Sequence, residues 1–190
     1  MPILLDEHWG VDASGSVQVA LPASTVWGQM RDLRRFVTRD PLHVRVDLLS
    51  TRLEPGAERV ILHRLLGIGV TRRSRHLRWE EGRGYAFSDL SLRGKTVGFP
   101  HVCSYELSEV DAEHAEVTFT ARGRWTATWM PRWLVRLWLH WVIRDTTARI
   151  GQELHAYRKF LERRGLIESM GRAAATNERR VRPSRIRTAS

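Results

Sequence analysis

The stretch PRWLVRLWLHWVIRDTTARIGQELHAYRKFLER, residues 131–163, holds a single proline, at its first position. Proline suits the first turn of a helix, where the donor it lacks would be unpaired anyway. Beyond it Leu139, Ile143, Thr147, Ile150, Leu154, Tyr157 and Leu161 recur at spacings of three or four, which is one face of a long amphipathic helix. The second half has a polar back of Arg149, Gln152, Glu153, Arg158, Lys159 and Glu162. In the first half Trp133, Leu134, Val135, Leu137, Trp138, Leu139, Trp141, Val142 and Ile143 cover nearly the whole circumference. A helix apolar all round needs two things to bury against. One is a sheet; the other is a cavity, a ligand, a partner or a membrane surface.

The sheet is legible upstream. Val17, Val19 and Leu21 alternate with polar or small residues, the pattern of a half-buried strand. Pro22 ends it, Ser24 is a suitable helix N-cap, and Val26, Trp27, Met30 and Leu33 give a short helix its apolar face. A second short helix follows around Leu33 to Thr38, broken at Asp40-Pro41. Strands are then expected over Val44–Thr51, Glu58–Leu65, Thr71–Glu80, Tyr85–Leu92, His101–Val110 and Ala115–Trp125. Glu54-Pro55-Gly56 places proline and glycine where a type II turn wants them. Residues 1–14 read as an irregular lead-in, 15–166 as one domain, and 167–190 as a basic, disordered tail. One strand, two short helices, six strands and a long helix make an α+β chain. Its seven-stranded antiparallel sheet has one face for the helix to cover.

This order, with VQVALPASTVWGQMRDLRRF at the front, resembles the START/Bet v 1-like superfamily, particularly its bacterial polyketide cyclase/dehydratase-like members. The strand Val17–Leu21, the link Ala20-Leu21-Pro22-Ala23, the pair Val26-Trp27, then Asp32 and Phe36 carry the resemblance, which extends over roughly Ser16 to Arg163. Phe87-Ser88-Asp89, Gly98-Phe99-Pro100-His101 and Tyr105 also look like a stretch in ligand-binding members. The resemblance implies a helix-grip fold: a curved sheet wrapped around the C-terminal helix, with a hydrophobic cavity between them. Its members include carriers, lipid-transfer modules and cyclases, so fold analogy alone does not give the chemistry.

Composition narrows the classes. The single cysteine, Cys103, leaves no intrachain disulfide and fits a reducing compartment. No apolar run is long enough to span a bilayer, and Asp6 and Glu7 stand where a signal peptide would be basic. A cytoplasmic location is expected. The net charge of +10 suggests nucleic acid, but half of it lies in residues 171–190, which carry six arginines and one glutamate. That concentration fits a solvated extension or contact with anionic lipid better than a nucleic-acid surface. No HExxH, CxxC or HxH spacing occurs, and Gly67-Ile68-Gly69 lacks the third glycine of a dinucleotide loop. No metal and no cofactor are expected.

Strand alternation supplies the candidate site. On Thr71–Trp79 the face holding Leu77 and Trp79 also holds Arg73 and Arg75, and it reads as the interior. On the next strands Tyr85, Phe87 and Asp89, then His101, Cys103, Tyr105 and Leu107, share a face. The expected ligand lining is therefore Arg73, Arg75, Trp79, Tyr85, Phe87, Asp89, His101 and Tyr105, with Trp133, Leu137 and Trp141 from the helix. A one-residue slip would turn each of these outward. Such a lining would bind a hydrophobic small molecule such as a lipid or polyketide and orient its polar end. The alternative is a cyclase or dehydratase with His101 and Asp89 as the acid–base candidates. A further alternative is a peripheral membrane protein. There the Trp-Arg helix start and the basic tail would meet anionic lipid.

Overall fold

The computed structural model describes residues 2–50, 53–65, 68–91 and 99–166. Eight strands are described: β1 Ile3–Leu5, β2 Gly10–Val19, β3 His43–Leu48, β4 Glu58–Leu65, β5 Ile68–Glu80, β6 Gly84–Ser91, β7 His101–Glu109 and β8 Ala115–Arg124. The helices are α1 Ala23–Met30, α2 Leu33–Phe36 and α3 Arg132–Arg163, and a 3-10 turn over Val37–Arg39 follows α2. The strands form one antiparallel sheet in the order β1-β2-β8-β7-β6-β5-β4-β3. All but the β2–β8 pairing join strands consecutive in the chain.

The sheet has one strand more than the sequence reading allowed, because the first 14 residues are not irregular. Ile3–Leu5 pairs with Val11–Ala13, and β2 runs unbroken along β8 from Gly10 to Val19. Its inward residues there are Val11, Ala13 and Gly15, too small to stand out as an apolar alternation. The turn between β1 and β2 is closed by Asp6, whose carboxylate accepts from the backbone N–H of His8 at 2.8 Å and of Gly10 at 2.7 Å.

Local chemistry explains most boundaries. The Ala57 N–H donates to the Glu54 carbonyl, and Gly56 at φ 90° fills the position of that turn that favours glycine. Helix α1 starts at Ala23 behind Pro22 with no side-chain cap, so Ser24 is not the N-cap expected of it. The cap residue is instead Asp32, which accepts from Arg35 N–H at the start of α2.

Helix α3 lies across β1, β2 and β8 and touches the 3-10 turn. It buries Val135, Leu139, Val142, Ile143, Thr146, Ile150, Leu154 and Leu161. A fully buried aliphatic side chain contributes about 1.5–3 kcal/mol, whereas exposed pairs such as Arg149–Asp145 contribute a few tenths. The apolar stripe therefore holds the helix. Glu153 adds ion pairs to Arg35 and Arg39, tying α3 to α2 and the turn. Helices α1 and α2 cover part of the remaining concave face through Trp27 and Phe36.

Candidate ligand site on the concave sheet face

Strand β4 sends Arg59, Ile61 and His63 inward, each buried. Arg59 is fully buried and forms no ion pair with a carboxylate among the described residues. Its guanidinium carbon lies 3.5 Å from the Phe87 ring centroid, and its Nε donates to Ser74 Oγ at 3.3 Å. Among the described residues both terminal nitrogens lack a hydrogen-bond partner. Burial lowers the Arg59 pKa from its ordinary value to about 10, so the charge persists at neutral pH.

Strand β5 presents Ser74 and His76 to the same space. This reverses the sequence reading, since Arg73 and Arg75 are exposed and both pair with Glu58 on the outer face. A β-bulge between His76 and Arg78 is the cause. Leu77 is the extra residue and is exposed, and the slip turns Trp79 inward, where it stacks on Tyr85 at 5.5 Å and packs on Trp27 at 5.3 Å. One side of β5 therefore changes identity at residue 77, and no single alternation describes the strand.

Strands β6 and β7 place Tyr85, Phe87, Asp89, Cys103 and Tyr105 inward, all essentially inaccessible, with His101 beside them. The Tyr85 and Tyr105 rings lie 5.2 Å apart, and Phe119 and Phe36 pack on Tyr105. Neither hydroxyl has a partner among the described residues, nor has either ring nitrogen of His76. Burial raises both tyrosines, holding them as O–H donors. Burial, reinforced by the Arg59 charge, lowers His76 to about 4, so its ring is neutral. Cys103 is a buried thiol that burial pushes well above its ordinary value.

A second group surrounds Asp89. Its Oδ2 lies 3.1 Å from Arg72, 3.3 Å from His63 and 3.8 Å from His101. Burial alone would raise the Asp89 carboxyl, but His63, His101 and Arg72 outweigh it and hold the group well below the usual carboxylate range. His101 Nδ1 stands 2.6 Å from the Phe99 carbonyl. A carbonyl only accepts, so Nδ1 is the protonated nitrogen and Nε2 the basic one in the neutral ring. Phe99 stacks on the His101 ring at 4.5 Å and meets Trp125 and Trp138.

The helix residues of the expected lining lie elsewhere. Trp133, Leu137 and Trp141 are 67%, 59% and 41% exposed. They form the outer side of α3, because Val135, Leu139 and Val142 take the side against the sheet. Arg59, His63 and His76 escaped the sequence reading. On β4 the alternation is ambiguous, since Val60 and Leu62 on one side balance Ile61 on the other. The available signal was that Arg59, Ile61 and His63 share a face.

A single sheet curled over one long C-terminal helix, with two short helices between its second and third strands, has close counterparts among solved structures. An aromatase/cyclase, Zhui from Streptomyces sp. R1128, superposes with a TM-score of 0.60 at 17% identity over 76% of this chain and 93% of its own. A START superfamily protein from Mycobacterium smegmatis gives 0.62 at 9% identity, over 77% and 98%. The chain shares the architecture of these structures, an antiparallel sheet curled over a long helix. The di-domain aromatase/cyclase StfQ of the steffimycin biosynthetic pathway gives 0.62 at 12% identity, over 80% of this chain and 53% of its own. No family model and no curated protein matches the chain. At these identities the likeness is one of architecture, and the chemistry rests on the residues described above.

Proposed function

We propose that the protein binds a hydrophobic small molecule, a lipid or polyketide-like compound, against the concave face of the sheet. Its oxygen-bearing end would be held by Arg59, Tyr85 and Tyr105. One observation carries this reading: Arg59 is wholly buried and, among the described residues, forms no salt bridge and has two unpartnered terminal nitrogens among aromatic rings. Leaving a buried polar group unpaired costs about 1–3 kcal/mol, and more for a charged one. An oxygen that accepts from Arg59 and the two hydroxyls recovers that cost, while the rings surround an apolar body.

The groups in contact with this space favour binding over proton abstraction. His76, with a pKa of about 4, is too weak a base near neutral pH. Asp89 is held ionised by His63, His101 and Arg72 around it and is weaker still. The tyrosines are held as donors. The site is rich in donors and poor in bases.

A second reading, cyclase or dehydratase, draws on His101 alone. Its Nε2 is the free basic nitrogen of a ring fixed by Phe99 and close to Asp89. In that reading Nε2 takes a proton from the carbon beside a carbonyl, and Arg59 stabilises the enolate oxygen that results.

Native mass spectrometry of the purified protein, then solvent extraction, tests the first reading. The expected result is a retained lipid or polyketide-like species that Arg59→Gln no longer retains. Retention unchanged in Arg59→Gln would refute the assignment of the site. For the second reading, His101→Gln should keep the ligand and lose its conversion to a cyclised or dehydrated product.

A further inference from the structure

On the outer side of α3 two neighbouring ridges run in steps of four residues. One is basic: Arg132, Arg136, His140 and Arg144. The other is apolar: Trp133, Leu137 and Trp141, continued before the helix by Trp129. Residues four apart stack on one helix face, so the ridges lie side by side over roughly 18 Å, at about 1.5 Å per residue. All four apolar side chains are exposed, Trp129 to 83%. The inner neighbour of the ridge is anchored, since Trp138 packs edge-on against Trp125 at 5.3 Å and against Phe99.

From this arrangement we infer that the face Trp129–Trp141 docks on the surface of an anionic phospholipid bilayer. The tryptophans and Leu137 would enter the interface, and the basic ridge would meet lipid phosphates. Three points favour a bilayer over other occupants. Tryptophan, an apolar ring system with one N–H donor, is the side chain suited to the boundary between acyl chains and headgroups. Among the described residues Arg132, Arg136 and Arg144 form no ion pair with a carboxylate; Arg132 and Arg136 lean on backbone carbonyls of the β1–β2 turn, and Arg132 also lies over the Trp9 ring at 5.4 Å. The basic ridge therefore offers uncompensated charge to an anionic layer. A second copy fits less well, because an antiparallel isologous contact would set basic ridge against basic ridge. No described helix is long and apolar enough to cross the membrane, so the helix would lie in the plane of the surface.

Flotation of the full chain with phosphatidylcholine vesicles, with and without phosphatidylglycerol, tests the inference. The expected result is binding to the mixed vesicles well above that to phosphatidylcholine alone. The triple variant Trp133→Ser, Leu137→Ser, Trp141→Ser keeps every arginine, including those of residues 171–190, and should lower partitioning at least about tenfold. Arg136→Gln and Arg144→Gln, each exposed, should lower it about fivefold apiece. Circular dichroism would establish that the variants remain folded. The inference is overturned by equal binding to both kinds of vesicle or by none. Unchanged binding of the triple variant would assign the attraction to the basic terminus. A wild-type dimer that the triple variant dissolves would give the face to a second copy.

Discussion

Replacing Arg59 with methionine removes a charge that the surrounding rings do not neutralise and keeps most of the side chain's volume. Exchanging buried ionic groups for apolar ones of similar size is often neutral or stabilising by about 1–4 kcal/mol. Urea denaturation of the ligand-free Arg59→Met protein should therefore show a midpoint at or above that of the wild type, together with loss of ligand retention. A residue kept only for packing would give the opposite pair of results. His76 makes a prediction in pH. Its folded pKa lies near 4, below its ordinary 6.5, so protons bind the unfolded chain first. The stability it contributes is complete above about pH 6.5 and is lost as pH falls toward 4. Thermal melts across that window should show a smaller drop for His76→Gln than for the wild type. Asp89, whose pKa is depressed, acts in a lower window, losing its contribution below the ordinary carboxylate value of 3.8.

At the scale of elements, the approach of β7 to β8 is set by Gly123, which pairs with His101. A Cβ there would meet the Pro100 carbonyl oxygen at 2.2 Å and the His101 Cα at 2.7 Å, both backbone atoms. Gly123→Ala should cost at least about 1–3 kcal/mol in urea denaturation, the range for overpacking. Because the strain falls on His101, it should also displace the ring from Phe99 and Asp89. Periodicity reveals such elements well when the side chains are large. Helix α3, the run Glu58–Leu65 and the face Tyr85-Phe87-Asp89 all read directly from the sequence. It fails in two physical circumstances seen here. Alanine and glycine on the inner side of β2 give alternation no contrast, and the bulge at Leu77 shifts the phase within β5. Unbroken alternation from Leu77 and Trp79 would place Arg73 and Arg75 inside, while in the fold Glu58 holds them outside. Arg59 was hidden for another reason: a charged residue on an inward face contradicts the rule that reads the faces.

Over the whole molecule, the two halves of the sheet do different work. β1, β2 and β8 carry α3 on a continuous apolar contact, and the charges there stay on the surface. The β4–β7 half carries Arg59, His63, His76, Asp89 and two tyrosines in its interior, together with Cys103. Since the chain has only this one cysteine, its thiol is a chemical clock placed beside the site by the fold itself. A disulfide reagent such as dithionitrobenzoate cannot reach it until the sheet opens, so the labelling rate measures how often this half opens. A compound that engages Arg59 has to slow the clock, by a factor that grows with its concentration over its dissociation constant. The protein thus carries its own assay for ligands of unknown identity, read in thiol chemistry and needing no knowledge of a reaction.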